Sequence, residues 1–464
     1  MSKNRKKGVA LILLAISQLI LALDYTIVFV AVPSIGADLG FSANHLQWVI
    51  SAYSLVFGGF LLIGGRLSDL LGRRRIFMIA IALFGVGSLL GGLANSQIMM
   101  ITARGLQGLG GALLSPSTLS LIMSNFGEGA ERNRAMGIWA SMGGVGLSLG
   151  LLLGGGLTSF LGWEFTFFVN VPICLISLIL APLVLLENKT TSGPKRYDAL
   201  GTISVTVGMI LIVYYLIQSP VEGWLHIETL PFGLVGGILL ILFVIIEKRT
   251  KEPLIPFRLF RNRNLIGAAI IAALFSASFG TLYYFLSLYT QEILHYSAIQ
   301  SGLSFLPLTI SAFIGGRLIN KVLLNAGLAG TVAIGMVLGG IGFLVLTQLS
   351  EKGSALGIIP GTVIIGFGQA LVFTTTFIAG STGINSKEQG VASAIVSTGQ
   401  QIGSAVGLAA IIAIISYNFK SNLQLEKMNP GELNSAIHMS FIAASVITFL
   451  GVFITYSTLS RKMQ

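Results

Sequence analysis

The sequence predicts an all-α membrane protein of 14 transmembrane helices, built as two six-helix bundles with two helices inserted between them. Three observations carry this prediction. Of the 464 residues, 54% are hydrophobic and only 10% charged, with a mean hydropathy of +0.86. Soluble domains are about 25% charged, so a water-soluble fold is excluded, and disorder with it. Apolar runs long enough to cross a bilayer recur along the whole chain. A short glycine-arginine signature appears twice, 251 residues apart.

A hydrocarbon core about 30 Å thick takes about 20 apolar residues of helix. Such runs fall at 9–31, 46–66, 75–94, 98–123, 135–157 and 165–186, ahead of a polar gap. Two follow at 200–218 and 231–247, then six at 265–290, 298–319, 326–348, 355–382, 390–416 and 437–459. The organisation therefore reads as an N-terminal bundle over 1–190, an inserted pair over 191–260 and a C-terminal bundle over 261–464. The start of the chain is basic and then apolar, like a secretory signal, but its apolar stretch continues to Pro33. That is longer than the roughly 7–15 residues of a signal core, so it reads as a retained first helix.

The formal charge of +11 could mark a nucleic-acid partner or a membrane surface. Position decides between them. With the N-terminus inside, 24 of the 28 Lys and Arg residues fall in inside loops and ends, and only Lys352, Lys420 and Lys427 fall outside. Basic residues near helix ends are retained on the cytoplasmic side. Both termini are thus expected in the cytoplasm, and no nucleic-acid partner is implied. The remaining basic residue, Arg104, lies inside the fourth run.

The repeat supports two related halves. Gly64-Gly65-Arg66-Leu67 ends the second run and Gly315-Gly316-Arg317-Leu318 ends the tenth; Gly146 and Gly150 match Gly403 and Gly407. Parallel halves of this kind place a substrate site near the midplane at their interface. Gly146, Gly150 and Gly154 recur every fourth residue, which predicts a bare stripe for close helix packing.

Asp24 is the acidic residue that lies well within an apolar span. A charge there costs about 2.5–3.5 kcal/mol even on an insertion scale, so it should face a cavity or a partner. A packing role, bonded to Thr26 or to backbone, is the alternative; a group that takes up and releases a proton is the functional reading. Arg104 is its natural counter-ion. At about 1.5 Å per residue, the two lie about 12 and 9 Å below the outer ends of their helices, so an approach between them is expected in at least one state.

At these motifs the chain resembles the major facilitator superfamily. Gly64 to Arg75, with Gly65, Asp69, Gly72 and Arg73, resembles its loop signature, and Arg104, Gln107, Gly108 and Gly110 its fourth-helix motif. Leu23-Asp24-Tyr25-Thr26, followed by Val32-Pro33, is similar to the first-helix signature of the 14-helix drug:proton antiporters, and Gly162-Trp163 with Asn170-Val171-Pro172 to their sixth-helix pattern. The resemblance implies the major facilitator fold and a cytoplasmic latch at Asp69 and Arg73, which Asn320 replaces in the second half. It also implies proton-coupled multidrug efflux. The chain departs from it at Gly150-Leu151, where the antiporters carry Gly-Pro.

Aromatic and amide side chains at cavity depth are candidate cargo contacts: Gln47, Tyr53, Phe57, Gln107, Trp139, Asn170, Tyr283, Tyr284, Gln369, Phe373 and Gln400, together with Asp24. Aromatic walls suit flat lipophilic cations. Glu292, at an outer helix end, is either an interfacial acid or a first contact for such a cation. Thr374, Thr375 and Thr376 are expected to bond their own helix backbone.

No phosphate-binding G-x-x-x-x-G-K-[ST] loop is present, which argues against direct use of ATP. His45, His226, His295 and His438 are scattered, so no metal set and no cofactor is expected. Cys174 is the only cysteine, no catalytic triad can be assembled, and the protein is not expected to be an enzyme. The reading is a monomeric efflux pump in a bacterial inner membrane, exchanging protons for lipophilic cationic or zwitterionic drugs. The alternatives are a single-substrate transporter for a tetracycline-like compound or a metabolite, and a flippase for a lipid-linked precursor.

Overall fold

Long apolar runs fold as helices because, in lipid, a helix satisfies its backbone N–H and C=O groups within one segment. The computed structural model describes residues 3–41, 43–46, 48–127, 129–186, 199–223, 226–250, 253, 255–385, 388–419 and 428–459. Among these residues there is no strand, and 12 helices are long and apolar enough to cross a membrane.

The first half contains α1 (Lys3–Asp38), α2 (Trp48–Leu71), α3 (Arg73–Gly92), α4 (Gln97–Asn125), α5 (Ala130–Phe160) and α6 (Asn170–Val184). The inserted pair is α7 (Ala199–Glu222) and α8 (Leu230–Arg249), joined to the second half by a 3-10 turn at Phe257–Arg261. α9 (Arg263–Leu288) follows. After a π turn at Tyr289–Ile293 and a short helix at Ala298–Ser304, the stretch Leu306–Leu346 holds two helices that meet at Gly327, whose φ of 70° and ψ of −176° leave the helical region. Its limbs are α10 (306–326) and α11 (328–346). The half closes with α12 (Ala355–Ser381), α13 (Gln389–Phe419) and α14 (Pro430–Thr458).

Two of the 14 expected crossings differ in detail. The span Ile299–Leu346 covers 48 residues, too long for one crossing at 1.5 Å per residue, and Gly327 supplies the turn-back that the sequence placed at a loop. The apolar part of α7 that can be assessed is the shorter helix Leu200–Leu216.

Packing repeats between the halves. α5 lies on α1, with Gly146, Gly150 and Gly154 against the backbone of Leu19, Leu23 and Ile27. The counterpart α13 lies on α9, with Gly399, Gly403 and Gly407 against Ala269, Ala273 and Ala277. The bare stripe expected on the fifth helix is therefore a seat for α1.

The doubled glycines split their work in the same way on both sides. Gly64 meets the Ala112 carbonyl of its own half, while Gly65 meets Gly390 and Ala394 of the other. Gly315 meets Ala370 and Phe367 of its own half, while Gly316 meets Ser141 and Gly137 of the other. Two seams result, α2 on α13 and α5 on α10. The inserted α7 lies along the first, with Ile210 against Gly59 of α2, and Val213 and Gln401 both 3.4 Å from a side-chain carbon placed at Gly58.

Candidate functional site

Asp24 projects from the middle of α1 into the first half and is 0% exposed. Arg104 on α4 donates through Nη1 to its Oδ2 at 2.7 Å. Gln107 and Asn170 donate their amides to its Oδ1 at 2.8 and 3.0 Å. Both residues are also sealed at 0% exposure.

The shell extends to two more helices. Gln107 also donates to Ser88 of α3 at 2.8 Å. Arg104 donates through Nε to the Val49 carbonyl of α2 at 2.8 Å and through Nη1 to Gln107 at 2.8 Å. Its guanidinium stands 4.6 Å from the Tyr53 ring centre, and Tyr53 stacks on Phe57 at 5.7 Å. A buried ion pair offsets its desolvation only when its remaining donors and acceptors are met, and here groups on five helices meet most of them.

The approach expected from helix depth is thus present as a direct ion pair. Sequence reasoning missed Ser88 and the Val49 carbonyl, neither of which carries a signal on its own strand of residues. Thr26 does not bond Asp24; it donates to the Leu147 carbonyl of α5 at 2.8 Å.

A second cluster bridges the halves at the end carrying Asp69. Asp69 lies on the last turn of α2 rather than in the loop after it, because the helix continues to Leu71. Gly72 then turns the chain at φ 100°, a conformation that favours glycine. The Asp69 carboxylate accepts the N–H groups of Gly390 and Val391, at 3.1 and 3.0 Å, so it caps the first turn of α13 from the opposite half. Arg73 approaches it at 3.8 Å and donates to the Ser120 carbonyl at 3.1 Å. In the repeat, Asn320 instead donates to the Ala130 carbonyl at the start of α5, at 3.4 Å.

The remaining candidates fall in separate places. Trp139 of α5 is 1% exposed and stacks on Phe373 of α12 at 5.7 Å, meeting Phe377 edge-on at 5.6 Å. Tyr283 accepts from Gln369 at 3.1 Å and stacks on Phe305. Tyr284 is 40% exposed, Gln400 is half-buried and Glu292 is exposed. Gln47 lies outside the described residues. Tyr25, next to Asp24, reaches Ser404 of α13 across the halves. The hydroxyls of Thr374, Thr375 and Thr376 are buried without a hydrogen-bond partner, so the backbone bonds expected for them are not formed. Among the described residues no group of acidic, His and Cys side chains is arranged to hold a metal ion.

Residues 14–408 match the model of the Major Facilitator Superfamily. The chain is 35% identical over 405 residues to the puromycin resistance protein pur8 of Streptomyces alboniger, covering 86% of this chain and 80% of that one. It is also 35% identical over 450 residues to the cephamycin export protein CmcT of Amycolatopsis lactamdurans, covering 96% and 91%. Its fold resembles the crystal structure of the human organic anion transporter MFSD10 (TETRAN), with a TM-score of 0.67 at 15% identity, covering 98% of this chain and all of that one. An all-helical bundle with paired halves, joined at glycine seams and matched along nearly its full length, places this multi-pass membrane protein among transporters of small molecules rather than enzymes: the chain belongs to the Major Facilitator Superfamily.

Proposed function

We propose that this chain exports lipophilic drugs across a bacterial inner membrane by proton-coupled alternating access, with Asp24 as the proton-carrying group and both termini in the cytoplasm. The relatives named for puromycin resistance and cephamycin export support export as the direction. The observation that carries the coupling is the Asp24 shell, in which one carboxylate accepts from Arg104, Gln107 and Asn170.

The chemistry follows from donor counting. An ionised carboxylate accepts all three bonds; a protonated one carries its own O–H donor and gives up the charge that holds Arg104. Arg104 then keeps only its bonds to Val49 and Gln107, and its grip on α2 changes. α2 carries Asp69 at its far end, so a proton taken up in the middle of the first half acts on the clasp between the halves through one rigid helix. Asp69, Gly65, Gly72 and Arg73 form that clasp, and it holds the cytoplasmic end shut in this arrangement.

The expectation of cationic or zwitterionic cargo rested on aromatic walls together with Asp24. With Arg104 already on it, a cation would have to displace the guanidinium before binding there. Protein reconstituted in liposomes with an inside-acid pH gradient and puromycin as probe tests the coupling. Wild type is expected to accumulate drug above the level that protein-free liposomes reach by protonation of this weak base, and to dissipate the gradient with it, while Asp24→Asn should match the protein-free level. Accumulation above that level by Asp24→Asn would reject the assignment.

A further inference from the structure

Charge and aromatic packing between the halves narrow the cargo further. A cation moved into a water-poor site is held most strongly where an uncompensated carboxylate stands beside it, and aromatic faces alone hold it less well. Asp24 is sealed at 0% exposure and engaged with Arg104. Among the described residues, the other shielded acids lie near helix ends. Asp69 caps α13, Glu388 pairs with Arg258 at 2.7 Å and Glu247 accepts the N–H of Ile255.

Trp139 is different in kind. Its ring crosses from the first half onto Phe373 and Phe377 of the second, nearly parallel to Phe373 at 25°. Phe373 leans in turn on Phe275 of α9 at 5.8 Å. The indole Nε1–H is buried and has no hydrogen-bond partner, and a buried donor left unpaired is unfavourable. Beside Phe377, a small cleft with room for about one water lies between Leu119 and Met123 of α4 and the α12–α13 pair, with no charged side chain on its walls.

On the reading of this chain as a drug exporter, we infer that Trp139, Phe373 and Phe377 form its cargo site for flat, uncharged aromatic compounds bearing a hydrogen-bond acceptor. As the halves part, the cargo ring enters between Trp139 and Phe373, and its acceptor takes the Trp139 Nε1–H. Ring insertion needs the two side chains to separate by about 3.5 Å, one van der Waals thickness. The aromatic pair is therefore closed without cargo and filled with it. Discrimination comes from one donor: a compound with no acceptor leaves it unpaired inside the site.

The test is equilibrium binding to the full chain in lipid nanodiscs with no pH gradient, using anthraquinone, anthracene and ethidium as probes. Anthraquinone has carbonyl acceptors, anthracene has none and ethidium is a flat cation. Wild type is expected to prefer anthraquinone over anthracene on the order of tenfold and to bind ethidium less tightly than anthraquinone. Trp139→Phe, which keeps an aromatic ring and loses the N–H, should erase that preference; Phe373→Leu should weaken both neutral probes. An unchanged preference in Trp139→Phe, or ethidium binding more tightly than anthraquinone, overturns the inference. If Trp139→Phe does not fold, unchanged anthraquinone affinity in Phe373→Leu overturns it equally. Binding is read without protons, so drug accumulation by a wild type that ignores anthraquinone would sink this site and leave the exporter reading standing.

Discussion

Asp24 and Arg104 are costly separately and tolerable together. Removing one partner of a buried pair typically costs about 3–5 kcal/mol, because the other is left uncompensated, while removing both is often close to neutral. Arg104→Leu alone should therefore lower the thermal unfolding temperature in detergent sharply, and the double variant Asp24→Asn, Arg104→Leu should recover most of the loss. Equal instability of the two would mean that the charge pair is not what Arg104 contributes. The pairing was legible in the sequence because helix rise is fixed, so counting residues from the helix ends gives depth. The destinations of Gln107 and Asn170 were not. Depth says how far down a side chain lies but not which way its face turns, and both candidates for cargo contact point their amides at Asp24 instead.

Among the elements, α2 and α10 carry most of the consequence, since each presents one glycine inward and one across a seam. A side chain at Gly64 collides with the Ala112 backbone of its own half, and one at Gly65 with Gly390 of the other. Gly64→Val should lower stability, whereas Gly65→Val and Gly316→Val should leave each half folded and disfavour the closed clasp. Spin labels at Arg75→Cys and Leu324→Cys, both exposed and on opposite halves at this end, would report the Gly65 and Gly316 variants as a shift to longer distances. The same pair reads the Asp69 cap. A lost helix cap is worth about 0.5–2 kcal/mol, so Asp69→Ala should move the open-to-closed ratio by about two- to thirtyfold. No shift would mean that the cap does not hold the halves together. The repeated signature was visible as a spacing of 251 residues, but the division of labour between its two glycines depends on which helices lie on either side.

For the whole molecule, closure at the α5–α10 seam is the property most open to a direct test. A side-chain carbon at Gly144 would sit 3.8 Å from the Ala312 Cβ, within the 3.5–4.5 Å that a disulfide needs. Gly144→Cys with Ala312→Cys should therefore cross-link under mild oxidation, and transport should stop and return on reduction. Cys174 is buried and should not interfere. Continued transport by the cross-linked protein would show that this seam does not part. The inserted α7 makes the two seams unequal, because it lies along α2 and α13 while α5 and α10 meet through Gly137, Ser141 and Gly316.

Composition, apolar run length and loop charge were enough to determine that this chain is a helical membrane protein, because a bilayer admits few ways to satisfy a backbone and penalises charge by depth, and the repeated glycine-arginine signature pointed to two related halves. The sequence also picked out Asp24, Arg104 and Asp69, since each is a polar group where such groups are expensive or unexplained. Only the tertiary structure decided their partners. Which carbonyl takes Arg104 Nε, which helix start Asp69 caps and which rings receive Trp139 depend on helix rotation and on contacts between residues tens to hundreds of positions apart, and periodicity along one chain carries no information about either.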